Sequence, residues 1–187
     1  MKHSYPFAFF VGLATSISNI GWAADALDER AASSRAVIKA FAGDLQKELK
    51  TALQDQGPAY AISVCQAVAP EIAYRRSDET GWTVGRTSLK LRNPGNEPDA
   101  WERVVLEGFE ERKANGEDVQ HLEYAEVVEG EDGHVFRYMK AIPTGDVCLT
   151  CHGSAIPDSV DVKLADLYPD DKARGFSVGD IRGAFTI

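Results

Sequence analysis

Five consecutive residues toward the C-terminus, Cys148-Leu149-Thr150-Cys151-His152, carry the clearest chemistry in the chain. Two thiols three positions apart, with an imidazole directly after the second, form the C-x-x-C-H signature of covalent haem attachment. Each thiol adds across one of the two haem vinyl groups, and the following histidine then lies under the porphyrin face and ligates iron. One such motif means one haem c. The rival chemistries need partners that the sequence does not supply. A structural zinc site wants four ligands, and Cys65 is the one thiol left to add. A thioredoxin-like C-x-x-C wants a βαβ context and a helix N-terminus, whereas a hairpin is expected just before this motif. A disulfide across two intervening residues would be strained and would close almost no loop.

Iron held by His152 alone is open to a gas or small substrate, so the sixth position needs a candidate. Met139, Cys65, His121 and His134 are available. Met139 falls in a strand pattern, where packing is its plainer role. His121 and His134 flank a turn and read as solvated surface residues. Cys65 lies on the apolar face of a helical segment, one turn after Ala61 and one before Val68. That position suits a small buried hydrophobe as well as a ligand. Arg86, Arg92 and Arg137 are candidates to neutralise haem propionates, with a surface salt bridge as the plainer alternative. Trp82, Trp101 and Phe109 read as core, with one of them available to stack on the macrocycle. No distal acid-base constellation of a peroxidase is recognisable, so the expected role is not enzymatic.

Residues 1–26 have the layout of a secretory signal peptide: Lys2 and His3, a mostly apolar run from Phe7 to Ile20, then small residues. The run is shorter than the ~20 apolar residues of a membrane span and is broken by Thr15, Ser16, Ser18 and Asn19. Cleavage after Ala23 is therefore expected, rather than a stable membrane anchor, leaving one domain over residues 24–187 in the periplasm. The 187 residues are 44% hydrophobic and carry a formal net charge of −9. That acidity has the wrong sign for nucleic acid or for an anionic membrane surface.

The elements that must position these residues follow from periodicity. Apolar residues recur at three- and four-residue spacing from Leu27 to Leu53, predicting a long amphipathic helix. Gly57-Pro58 ends it and opens a second helix to about Arg76, which Pro70 should bend or split. Trp82–Leu91 reads as a strand, Arg92–Asn96 as a loop, and Asp99–Asn115 as a third helix. His121–Val128 and His134–Ile142 predict a hairpin across Asp132-Gly133. Thr144–Gly153 reads as compact and turn-rich, Tyr168–Asp171 as a turn, and Ile181–Ile187 as a last strand. The sum is an α+β domain with a mainly antiparallel sheet.

Together with the motif, Arg86–Asn96, Pro98-Asp99-Ala100-Trp101-Glu102, Tyr138-Met139-Lys140, Tyr168-Pro169-x-Asp171 and Gly179-Asp180-x-Arg182-Gly183 resemble an exported single-haem c-type family known as a domain of unknown function. The resemblance spans about residues 30–187. It implies a PAS-like antiparallel sheet with flanking helices and a long N-terminal helical segment. It also implies His/Cys axial ligation, which on this sequence places His152 and Cys65 on iron and Cys148 and Cys151 in the thioethers. The family is regarded as a redox or gas sensing module, often joined to signalling outputs; independently, a thiolate that loosens on reduction would leave iron open to CO or NO. Since nothing follows the haem domain here, a signal would pass to a separate redox or signalling partner. The alternative is a periplasmic electron-transfer cytochrome c, guided by its acidic surface to a basic partner. The long first helix could also pair with a second copy as a homodimer.

Overall fold

The computed structural model describes residues 19–131 and 133–187, with side chains from Asp25 onward. The expected signal peptide, residues 1–23, lies mostly outside the described residues. Five α-helices and four strands follow: α1 (Asn19–Gln56), α2 (Pro58–Thr80), β1 (Gly85–Thr87), α3 (Ala100–Ala114), β2 (Glu123–Gly130), β3 (Gly133–Pro143), α4 (Asp146–His152), α5 (Asp158–Leu167) and β4 (Ile181–Thr186). The strands form one antiparallel sheet in the order β1-β4-β3-β2. The architecture is α+β and PAS-like. Among the described residues no helix is long and apolar enough to cross a membrane.

The two faces of the sheet build separate cores. On one face α1 and α2 bury Ala31, Ile38, Phe41 and Ile72 against Tyr138 and Phe185. On the other, α3 buries Val105, Leu106 and Phe109 against Leu122, Met139 and Ala184. Alternation along β3 assigns Tyr138 to the first core and Met139 to the second. Helix α3 starts after Asp99 because that residue closes a capping box: its carboxylate accepts from the Glu102 N–H at 2.8 Å, and its own N–H donates to Glu102 at 3.1 Å.

Three expectations change. Helix α2 runs unbroken through Pro70 to Thr80 and stops at Gly81, whose φ of 69° is the left-handed cap. Burial of Ala61, Ile62, Ala69 and Ile72 on one side of the helix outweighs the hydrogen bond lost at Pro70. The strand expected over Trp82–Leu91 shrinks to Gly85–Thr87, because Ser88 turns out of the ladder to bond the Lys90 and Arg182 carbonyls. The segment Thr144–Gly153 is a short helix rather than a turn. Helix α5, which the sequence reading passed over, packs Val160 and Leu164 against Ile62 of α2.

Candidate functional site

Helix α4 is the element that carries the motif. Its seven residues end in Cys151 and His152, and its first turn is tied down by the Gly145 N–H, which donates to Cys148 Sγ at 3.4 Å. A spacing of three residues in a helix sets the two thiols on one side of it. Val147, Cys148, Cys151 and His152 line a cavity of about 680 Å³. Helix α2 contributes Ala61, Ile62 and Cys65 to the same cavity, α1 contributes Ile38, Ala42, Leu45 and Leu49, and the sheet contributes Ala141, Ile142 and Phe185. All three cysteines are free thiols. Among the described residues no three His, Cys, Asp or Glu side chains converge as a bare metal ion would require.

The alternatives for a sixth ligand separate cleanly. Met139 is fully buried in the α3 core. His121 and His134 are surface residues, 79% and 71% exposed, beside Asp118 and Glu129. Only Cys65 of the four lines the cavity. Burial pushes its thiol above the ordinary range, opposed by the charges of Arg86 and Arg92.

His152 is held by its neighbours. Its Nδ1–H donates to the Ala173 carbonyl at 2.8 Å, which fixes the tautomer and leaves Nε2 as the ring's electron-pair donor. Burial, then the charges of Arg182 and Arg92, hold the imidazole down at about 3, so it is neutral. The acceptor loop is itself anchored. Asp171, 1% exposed, takes Arg92 through Nε at 3.1 Å and Nη2 at 3.0 Å, and also receives the Ala173 N–H at 3.0 Å. Arg92 in turn donates to the Cys151 carbonyl at 2.6 Å. One buried ion pair thus fastens both the motif helix and the carbonyl that orients His152.

The cavity's charge is opposite to that of the molecule. Six Lys and Arg line it (Arg35, Lys39, Arg86, Arg92, Lys140 and Arg182) and no Asp or Glu does, in a chain of net charge −9. Of the arginines expected near propionates, Arg86 and Arg92 are at the cavity. Arg137 is not: it pairs with Asp99 at 2.8 Å and lies 4.2 Å from the Trp101 ring. Trp82, Trp101 and Phe109 pack in the cores and none lines the cavity, so none is placed to stack on a bound ring. Arg182, Tyr168 and Asp171 are the site residues that residue-type reasoning missed. For Arg182 the available signal was the glycine after it, which inside a strand pattern marks a bulge.

A family model described as Tll0287-like matches residues 21–187. The chain belongs to the Tll0287-like family. A solved member of similar architecture, titled the crystal structure of the cyanobacterial heme-protein Tll0287, is 26% identical with a TM-score of 0.63. The alignment covers 84% of this chain and 92% of that one. Among curated proteins nothing matches. The Tll0287-like match takes in every cavity-lining residue.

Proposed function

We propose that this protein binds one haem c in the α1/α2/sheet cavity, with Cys148 and Cys151 in thioether bonds and His152 and Cys65 as axial ligands, and that it serves outside the cytoplasm as a redox or gas sensor rather than as an enzyme. The observation that carries the reading is the single cavity, which brings Cys65 of α2 to the Cys148, Cys151 and His152 of α4. The residues fit the group. A volume of about 680 Å³ is in the range of cofactor sites. The apolar faces of α1 and α2 suit a porphyrin body, the cationic lining suits its carboxylates, and two thiols and a neutral imidazole from one short helix supply attachment and ligation. The family's cyanobacterial heme-protein supports the same cofactor.

When bound, haem supplies an iron centre that exchanges one electron and, once a coordination position opens, takes CO or NO. The chain's residues do the rest. Cys148 and Cys151 would hold the group covalently, each S–H adding across one vinyl with sulfur on one carbon and hydrogen on the other, which needs no oxidant. His152 offers Nε2 because Ala173 holds Nδ1–H. Arg182 stands 3.4 Å and Arg92 3.5 Å from that nitrogen; Arg92 is pinned by Asp171, so Arg182 is the group that moves aside. Cys65 as thiolate donates charge that favours ferric iron and lowers the reduction potential relative to His/Met ligation. Cys65 would be the axial ligand able to leave reduced iron, and its place on α2 would couple that exchange to a helix packed on both α1 and α5, the kind of two-state element a switch needs.

Low-temperature EPR of the exported ferric protein tests this. A low-spin signal with the compressed g-spread of thiolate ligation, lost in Cys65→Ser, is expected. A wide-spread signal indifferent to that substitution removes Cys65 from iron. A couple that keeps both axial ligands on reduction assigns the protein instead to electron transfer.

A further inference from the structure

Of the six cations around the cavity, three have a carboxylate partner and one faces solvent. Arg35 and Lys140 share Glu123, Arg92 holds Asp171, and Lys39 is exposed on α1. Arg86 and Arg182 differ. Among the described residues neither has a carboxylate within ion-pair distance, although both are partly buried. Arg86 lies 5.6 Å over the Phe41 ring. Arg182 is bonded to neutral groups, Ser88 Oγ at 3.1 Å and the Lys90 carbonyl at 3.3 Å, beside His152. Two partly buried guanidiniums on adjacent strands, neither with a counter-ion, are costly unless an anion is supplied.

The backbone at Arg182 is built to aim that charge. On β3 the register passes from Ile142 opposite Gly183 to Pro143 opposite Ile181, so Arg182 is the extra residue of a β-bulge. Gly183 makes the bulge feasible: its φ is 155°, and a Cβ there would stand 2.3 Å from the Thr87 carbonyl oxygen. Two-residue alternation is broken as a result. Phe185 and Arg182, three apart on one strand, both line the cavity. Without the bulge, Phe185 and Arg182 would point to opposite faces of the sheet.

We propose that Arg182, aimed by the Gly183 bulge, and Arg86 on the neighbouring strand β1 form the carboxylate-binding subsite of the cavity and take the two propionate side chains of the porphyrin. This inference rests on the haem reading above. It also assigns a destination to Arg182 when it leaves His152 Nε2.

The test uses the full chain prepared without haem attachment and two iron-free probes, protoporphyrin IX and its dimethyl ester, followed by porphyrin fluorescence. Without iron, neither His152 nor Cys65 contributes ligation, so the readout isolates carboxylate recognition. Wild type is expected to bind the diacid at least tenfold more tightly than the ester. Arg86→Met with Arg182→Met is expected to bring the ratio close to one, Arg86→Lys with Arg182→Lys to retain part of it, and Arg137→Met to leave it at the wild-type value. A wild type that binds both probes equally overturns the subsite and leaves the haem reading standing, as does a double Met variant that keeps the full ratio. Binding of neither probe, together with an exported chain that carries no haem, overturns both. The wild-type comparison needs no variant to fold.

Discussion

Asp171 acts on His152 through two intermediaries, the Ala173 carbonyl and Arg92. Deleting its charge leaves Arg92 buried without a counter-ion, so Asp171→Asn should lose about 3–5 kcal/mol of stability, read by urea denaturation. It should also loosen the hydrogen bond from His152 Nδ1–H and make the imidazole a poorer donor. The ferric state depends more on that donation, so the potential should rise. A tenfold change in relative affinity for the two oxidation states corresponds to about 59 mV for one electron, and potentiometric titration of the holoprotein checks the sign. Cys65 illustrates why residue type alone was insufficient. The local pattern gave Cys65 the surroundings of a small hydrophobe, and only its place on the cavity wall sets it apart from the buried Met139.

At the scale of elements, Glu123 is the tie between the first helix and the sheet. It takes the Arg35 guanidinium from α1, the Tyr138 hydroxyl at 2.6 Å and Lys140 at 3.5 Å from β3. The Arg35 side chain, then the Tyr138 hydroxyl, pull its carboxyl down from 4.5 to about 2 against the cost of burial. A carboxyl with a depressed folded-state pKa stabilises the fold above its unfolded pKa, and that stability disappears as pH falls from about 4.5 toward 2. Arg35 is half exposed, so solvent screening limits the contribution to roughly 1–3 kcal/mol. Glu123→Gln should lose that much at pH 7 and show a flatter stability profile between those pH values, measured by denaturant unfolding across the range. The bulge on β4 makes a second prediction. Gly183→Ala forces a Cβ onto the Thr87 carbonyl and should cost about 1–3 kcal/mol in backbone strain; thermal unfolding and the haem content of the exported protein should both fall.

The whole molecule is arranged around the cavity, with α1, α2, α4 and the sheet each supplying part of its wall. A group that fills it ties together elements from both halves of the chain. A free ligand at a hundredfold its dissociation constant adds about 2.7 kcal/mol, roughly 5–10 °C in Tm for a domain of this size, and a haem tethered through Cys148 and Cys151 would act at a higher effective concentration than that. Calorimetry of the chain with and without haem should show a rise of at least that size, and an unchanged Tm would argue against haem in this cavity. Composition, the two long helices, the third helix, the hairpin and the C-x-x-C-H spacing were all legible in the sequence, because each rests on periodicity or on groups within a few residues of one another. Helix α4 was hidden because its seven residues are too short for a period to show, and the strand after Trp82 was overread because Ser88 leaves the ladder for partners far along the chain. Resemblance to a known family placed Cys65 beside the motif before any geometry did. The sequence alone carried Arg182 as part of the family-like segment Gly179–Gly183, without a place for its side chain. Its place at the cavity was decided by tertiary structure: a strand's register, and with it the direction a side chain takes, depends on which backbone lies alongside, and that pairing is a long-range property that no local pattern encodes.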